Sequence, residues 1–101
     1  MNLELEIMEI ICNAGESKTE AMIALNHAKQ REWEEADAAL LRSKEAASRA
    51  HAVQTKLIGL DEGEGKVPVT LVMVHAQDHL MTSMLAVDLI KELIELHREK
   101  Q

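Results

Sequence analysis

Aromatic residues are almost absent from this 101-residue chain, which has no Phe, no Tyr and a single aromatic side chain at Trp33. Its apolar content comes from Ala, Leu, Ile, Val and six Met. Because aromatic and β-branched residues favour strands whereas Ala, Leu and Met favour helices, this composition weighs against a β-sandwich or barrel. We predict an all-α fold.

Cysteine and long apolar runs are equally scarce. Cys12 is the single cysteine, which excludes an intramolecular disulfide and fits a reducing compartment. We expect it to be a packed thiol. The acidic N-terminus lacks the basic segment of a signal peptide, and no run approaches the ~20 apolar residues of a membrane span. We therefore expect a cytoplasmic protein that is not inserted in a membrane.

Positive charge is also in short supply. The chain carries 11 Lys and Arg against 18 Asp and Glu, a formal net charge of −7 at pH 7. Proteins that bind nucleic acid present basic surfaces to the phosphate backbone, and no local Lys/Arg cluster offsets the acidic balance here. This charge weighs against nucleic acid as a partner.

Glycine and proline are concentrated in one segment that divides the chain. Three of the four glycines and the only proline fall within ten residues, at Gly59, Gly63, Gly65 and Pro68. They predict a loop over 59–68. Apolar residues at three- and four-residue steps predict helices at about 3–29, 33–58 and 69–98, hence one domain over 1–101 built as a three-helix antiparallel bundle.

The fourth glycine, Gly15, lies inside the first predicted helix. The apolar register continues across it, so we expect one helix with a weak point there. A glycine in a helix interior costs about 1 kcal/mol relative to alanine, and a local break over 15–17 is the alternative.

The two halves of the predicted third helix differ in where their apolar residues lie. The C-terminal half is amphipathic, with Leu89, Ile90 and Leu93 on one stripe and a wet opposite face. The N-terminal half is apolar on every side, and such a helix is buried on every side. Because two neighbouring helices cannot enclose it, we predict a homo-oligomer whose contact is built by the first half of the third helix.

Five residues, His75-Ala76-Gln77-Asp78-His79, interrupt this apolar half. At 100° per residue, His79 and Asp78 lie about 40° and about 60° to either side of His75, whereas Gln77 points about 200° away. Gln77 could join the same site only across a subunit boundary or by another route. The shared face continues as the apolar stripe of the C-terminal half, so we expect it to be partly enclosed. Burying imidazole or carboxylate is costly unless the group is paired or functional.

Four interpretations of this cluster are open on the residues alone. They are hydrogen-bonded core histidines, a metal chelate from the His pair, nucleophilic catalysis by an imidazole that carries a phosphoryl group, and general acid–base catalysis. The order of acid and His differs from that of zinc proteases, and Glu-x-x-His repeats are absent, which disfavours a catalytic metal. Nothing indicates the oxyanion-stabilising group of a hydrolase.

The other histidines receive weaker assignments. His51 is either a structural hydrogen-bonding group or a neighbour of His75, and the residues do not decide between the two. His27 and His97 lie near helix ends among charged neighbours, so we expect them at the surface.

The segment Gly63-Glu-Gly-Lys66, followed by Val72-Met-Val-His75-Ala-Gln-Asp-His79-Leu-Met-Thr-Ser83, resembles a known family. It is similar to enzyme IIA of the lactose/cellobiose (N,N′-diacetylchitobiose) class of the bacterial phosphoenolpyruvate-dependent sugar phosphotransferase system. The resemblance extends to Asn13-Ala14-Gly15, to Ala50-His51 with Gln54-Thr55-Lys56-Leu57-Ile58, and to Leu93-Ile94-Glu95-Leu96-His97. The chain departs from the family around Gln30 to Trp33, which lacks the usual glycine between the first two helices.

The resemblance implies a cytoplasmic homotrimer of three-helix bundles that accepts phosphate from the histidine-containing phosphocarrier protein and passes it to a cysteine of enzyme IIB. By position, His75 is the phosphoacceptor, and His79 and Gln77 line the site. Asp78 matches the carboxylate that three subunits bring together around a structural divalent cation, which we take to be magnesium.

The 63–66 loop resembles the cellobiose/chitobiose members of the family more than the lactose members, so among β-linked disaccharides we expect cellobiose or chitobiose rather than lactose. Hydroxyls at Thr82 or Ser83 are further candidates to assist the phosphoryl oxygens. Two alternatives of other kinds remain: a histidine phosphotransfer domain of two-component signalling, and an adaptor bundle in which the His/Asp cluster only holds a metal between subunits.

Overall fold

The computed structural model describes residues 2–100 as three long helices joined by two connections. They are α1 (Leu3–Lys29), α2 (Trp33–Asp61) and α3 (Leu71–Glu99). No strand occurs between residues 2 and 100, and the prediction of an all-α, three-helix fold is confirmed. None of the three helices has a stretch apolar enough to cross a bilayer over these same residues.

The boundaries of the loop differ slightly from the predicted ones. α2 ends at Asp61 rather than at 58, because a glycine at position 59 is tolerated in its last turns. α3 begins at Leu71 rather than at 69, because Thr70 is its N-cap: the Thr70 side chain accepts a hydrogen bond of 3.3 Å from the backbone N–H of Met73. Both ends of the loop between α2 and α3 are therefore set by local backbone chemistry.

α1 runs without interruption through Gly15, so the predicted helix is continuous and the alternative of a break over 15–17 is wrong. The turn after α1 is made without glycine. Arg31 takes the left-handed conformation, with φ of 62°, and the His27 ring lies 2.8 Å from the Glu32 carboxylate across the turn.

Interhelical polar contacts show that neighbouring helices run antiparallel. On the α1/α2 face, carboxylates of α1 pair with cations of α2 in reverse order along the chain: Glu6 with Lys56, Glu16 with Arg49, and Glu20 with Arg42. Across α2 and α3, Gln54 bonds Gln77, and Asp37 bonds Arg98 at the opposite end. The bundle measures 52 × 20 × 18 Å.

The interior consists of two apolar clusters separated by a layer of serines. One cluster contains Ala21, Leu25, Ala36, Val87 and Ile90, and the other contains Ile10, Ala14, Ala50, Met73 and Leu80. Between them, one serine from each helix is buried: Ser17, Ser43 and Ser83. The α1 and α2 faces are largely Ala and Ser, and small side chains allow two helices to approach closely.

The helices are not equivalent in their packing. α1 packs against both α2 and α3, whereas α2 and α3 touch each other little. A largely apolar groove of about 550 Å³ opens between α2 and α3 near the 62–70 loop, lined by residues that include Leu57, Val67, Met73, Val74 and Met81. One side of α3 therefore faces no other part of this chain.

That free side of α3 carries apolar residues along its whole length. Leu71, Val74, Met81, Leu85, Leu89, Leu93 and Leu96 are between 44% and 86% exposed. The core contacts of the C-terminal half are made instead by Val87, Ile90 and Ile94. The predicted polar face of this half is exposed, whereas of the predicted apolar stripe only Ile90 and Ile94 are buried within the chain and Leu89 and Leu93 remain exposed.

Candidate functional site

α3 carries the five-residue cluster in its second and third turns. The Thr70 cap fixes where the helix begins, and the backbone N–H of Val74 bonds the Thr70 carbonyl oxygen at 3.0 Å. His75 follows directly and its side chain is exposed. Within one chain His75 is therefore a solvent-accessible imidazole, on a face that the helical pattern predicted to be partly enclosed.

The two imidazoles of the cluster lie against each other. The His75 and His79 rings are stacked, with centroids 5.9 Å apart and planes inclined by 10°. The i, i+4 spacing predicted that the two residues share one face of the helix, and the stacking of their rings is seen in the structure. His79 is half-buried, so the pair has one open member and one sheltered member. A hydrogen-bond donor on His79 would lie within reach of a group attached to His75.

Asp78 is exposed and lies in the middle of the apolar side of α3. The exposed apolar residues of α3 named above lie within about 60° of it around the helix axis, at 100° per residue. Between residues 2 and 100, no hydrogen bond or ion pair reaches the Asp78 carboxylate. The Thr82 hydroxyl bonds the backbone carbonyl of Asp78 and not its side chain. An unpaired carboxylate thus lies at the centre of an uncovered apolar stripe.

Gln77 lies on the other side of α3, against α2. It is half-buried, and its Oε1 accepts a short hydrogen bond from Nε2 of Gln54. Within one chain the structure therefore does not bring Gln77 to His75, in agreement with the helical geometry. The Gln54–Gln77 bond joins the two helices that otherwise touch little.

α1 contributes a contact that the sequence did not indicate. Gly15 faces the His79 ring so closely that a Cβ built on it would lie 3.4 Å from His79 Nε2. The only sequence signal was a glycine that did not interrupt the helical register. A glycine of this kind predicts a weak point in the helix and does not indicate that another helix approaches there.

The two hydroxyl candidates are poorly placed to assist a phosphoryl group on His75. Ser83 is 1% exposed, and its Oγ lies inside the bundle without a hydrogen-bond partner among the described residues. Thr82 Oγ1 donates to the backbone carbonyl of Asp78 at 2.9 Å, so its proton is already used within α3. The expectation that either assists the transfer is not supported within one chain.

The remaining candidates lie away from His75. His51 is exposed in a hollow beside Met84 and Asp88 of α3, and Met84 is nine residues, about 13 Å along the helix, beyond His75. His27 and His97 are half-buried near helix ends. Cys12 is a free, exposed thiol, and the expectation that it is packed is wrong.

A single chain does not assemble a metal site from these residues. Over residues 2–100, no group of three or more His, Cys, Asp or Glu is placed to hold an ion. The two His and Asp78 share a face but do not converge, so the simple chelate is wrong for one chain. What the geometry offers is an accessible imidazole nucleophile with a second imidazole stacked on it.

Comparison with known proteins agrees with this geometry. The family model described as "PTS system, Lactose/Cellobiose specific IIA subunit" matches residues 5–98. The chain is 55% identical over 97 residues to the N,N′-diacetylchitobiose-specific EIIA component of Escherichia coli, which covers 96% of this chain and 84% of that protein.

Two solved structures show the same fold. The cellobiose-specific enzyme IIA of Bacillus anthracis matches with a TM-score of 0.91 and 36% identity, covering 98% of this chain and 91% of that one. The IIA(Chitobiose)–HPr complex of E. coli contains a chain that matches with a TM-score of 0.85 and 52% identity, covering 98% and 96%. The chain therefore belongs to the lactose/cellobiose-specific IIA family of the sugar phosphotransferase system.

Proposed function

We propose that this protein is a phosphoryl carrier that accepts phosphate on His75 from the histidine-containing phosphocarrier protein and passes it to a cysteine of enzyme IIB. The observation that carries the proposal is the exposed His75 imidazole with the His79 ring stacked on it, in a chain of this family. A solved relative in complex with HPr supports the first partner.

The proposed transfer needs a lone pair on a ring nitrogen of His75, and the phosphoryl group neither gains nor loses a proton. An unprotonated ring nitrogen of His75 attacks the phosphorus of the donor phosphohistidine, the new P–N bond forms, and the old P–N bond breaks with its electron pair returning to the donor imidazole. In the second step a thiolate of enzyme IIB attacks, and the electron pair of the His75 P–N bond returns to His75. Positioning and stabilisation of the equatorial oxygens supply the catalysis.

His79 is the residue of this chain that we assign to that stabilisation. Its ring lies beside the nucleophile and is sheltered on one side by α1. The exposed side chain of Val72 lies one turn before His75 and would give two different partners an apolar surface to dock on. Gln77, bonded to Gln54, would reach a phosphoryl group only on a neighbouring subunit.

The transported sugar is proposed as a β-linked disaccharide, cellobiose or chitobiose rather than lactose. The support is the 63–66 loop together with the specificities in the names of two relatives, N,N′-diacetylchitobiose in E. coli and cellobiose in B. anthracis. In this scheme the carrier transfers phosphate between its two protein partners and does not contact the sugar. We place it in the cytoplasm, where those partners act.

The assembly is proposed as a homotrimer in which the apolar stripe of α3 meets its copies. Uncovered apolar patches of this extent on one helix mark association surfaces. Three Asp78 carboxylates meeting there would repel one another, and a divalent cation would remove that repulsion. Carboxylate oxygens suit magnesium, so the residue present fits such an ion, whose part would be structural.

The deciding experiment is phosphorylation by the general phosphotransfer proteins. The protein is incubated with phosphoenolpyruvate, enzyme I and the phosphocarrier protein, and its mass is measured under alkaline conditions that preserve phosphohistidine. We expect one phosphoryl group on the wild type, none on His75→Ala, and one on His51→Ala, an exposed histidine outside the site. No adduct on the wild type would overturn the carrier function, and an adduct on His75→Ala would move the site elsewhere.

A further inference from the structure

Gly15 is an unexpected residue at the middle of α1. Glycine is among the least favourable residues in a helix interior, and the neighbouring small positions on this helix are alanines, such as Ala14 and Ala21. A Cβ at position 15 would lie 3.4 Å from Nε2 of His79, the closest distance at which an ordinary contact is made. A methyl group just fits there, and any longer side chain occupies the space of the imidazole.

The His79 ring has few other constraints. It stacks on His75, and no hydrogen bond to either ring nitrogen is formed by residues 2–100. Its orientation therefore depends on van der Waals contacts, with the backbone of α1 at Gly15 on one side and the His75 ring on the other. A side chain on α1 at this point would push the His79 ring toward the nucleophile or turn it out of the stack.

We propose that Gly15 is a positioning residue for phosphoryl transfer, because its missing side chain lets His79 lie against α1, parallel to His75. This inference rests on the proposed function of His75. Gly15 touches neither phosphate nor partner in this proposal and acts only through His79.

The chain offers a matched control in Gly59. It also lies within a helix, near the end of α2, and a Cβ there would meet nothing within 4 Å. We expect Gly15→Leu to slow transfer from the phosphorylated carrier to His75 by about tenfold or more, since small displacements of a positioned group cost this much. Gly15→Ala should stay near the wild-type rate, and Gly59→Leu should match it.

Two readouts separate positioning from a general loss of structure. The imidazole ¹⁵N resonances of His79 should move in Gly15→Leu and stay in place in Gly59→Leu, while the helical circular dichroism of both is unchanged. In a His79→Ala background, Gly15→Leu should slow transfer no further, because the residue through which it acts is gone. Equal slowing in both backgrounds would show a purely structural role and overturn the proposal.

A wild-type transfer rate in Gly15→Leu would also overturn it. If the wild-type chain accepts no phosphate at all, the proposed function fails while the geometric claim is still decided by the resonances. Unchanged His79 resonances in Gly15→Leu would then refute the positioning role as well.

Discussion

Individual residues in this bundle take conformations and contacts that their type does not favour. Arg31 closes the turn between α1 and α2 in the left-handed region, where a side chain costs about 1–2 kcal/mol relative to glycine. No glycine lies in this turn, and the chain accepts the strain at an exposed position.

Arg31→Gly should therefore stabilise the protein by about 0.5 kcal/mol, the relief of strain less the extra freedom that glycine gives the unfolded chain. Arg31→Ala keeps a Cβ and should bring no such gain. Urea unfolding at one fixed protein concentration measures both. A Gly variant no more stable than the Ala variant would contradict the strain at this turn.

The buried serines show how polar atoms are accommodated in the interior. Ser17 and Ser43 bond reciprocally across α1 and α2: each hydroxyl donates to the other residue's carbonyl, at 2.9 and 2.7 Å. Both are almost wholly buried. Each of these hydrogen bonds contributes about 1 kcal/mol, and removing one hydroxyl leaves the other bonded to a backbone carbonyl that is still present.

Ser17→Ala should lower the free energy of unfolding by about 1 kcal/mol, because one hydrogen bond between the helices is lost. The double variant with Ser43→Ala should cost about the sum of the two single variants, since each hydroxyl donates to a backbone carbonyl that remains when the other hydroxyl is removed. Denaturant unfolding of the four proteins forms a complete cycle. A double variant that costs much less than the sum would contradict two independent hydrogen bonds at this contact.

At the scale of the helix, α3 depends on its N-cap to place His75. The Thr70 side chain accepts from the N–H of Met73, and the nucleophile follows one turn later. No glycine or acidic residue within the first turn provides a substitute. Without the Thr70 cap, the loop before α3 would not keep that turn from fraying.

Thr70→Ala should destabilise the protein by about 1 kcal/mol and speed amide hydrogen exchange in the first turn of α3. Thr19→Ala is the matched control: Thr19 is exposed inside α1, where alanine is the better helix former. Exchange in the α3 first turn should be unchanged in that variant. Equal exchange rates in Thr70→Ala and the wild type would show that the cap is dispensable.

At the scale of the whole molecule, the dominant feature is the uncovered apolar stripe of α3. α1 covers one side of α3, whereas α2 leaves the other side open. The stripe extends over both halves of the helix and not only the first, so the proposed subunit contact is longer than the sequence suggested. Asp78 lies on the midline of this stripe, in its N-terminal half.

Asp78→Leu should strengthen self-association and make it independent of metal, because it removes the like-charge repulsion and extends the apolar surface. Asp88→Leu is the control: it also replaces an exposed acid of α3, but about 80° around the helix from Asp78. Sedimentation velocity with and without EDTA should show dissociation by EDTA in the wild type and in Asp88→Leu only. Monomeric Asp78→Leu would contradict the axial placement of this carboxylate.

Local patterns in the sequence were sufficient for the helices and for part of the site. These patterns involve residues that are near one another in the chain: apolar residues at three- and four-residue steps, the Gly/Pro cluster before α3, and the i, i+4 histidines. Helical geometry then gives the position of each residue around the helix axis. The shared face of His75 and His79 and the opposite direction of Gln77 followed directly. The resemblance carried by the 72–83 segment was confirmed by the family match.

Tertiary structure decided which side chains are buried between the helices and which contacts join one helix to another. Spacing within α3 cannot tell that Ile90 packs inward while Leu89 and Leu93 remain exposed, because both choices satisfy an apolar stripe and the neighbours select one. For the same reason Cys12 was placed in the core although it is exposed. Contacts such as Gln54 with Gln77, Ser17 with Ser43 and Gly15 with His79 join residues 23 to 64 positions apart, and only packing brings them together. The sequence alone determined an imidazole pair on one helix; the packing of α1 against α3 determined how that pair is held.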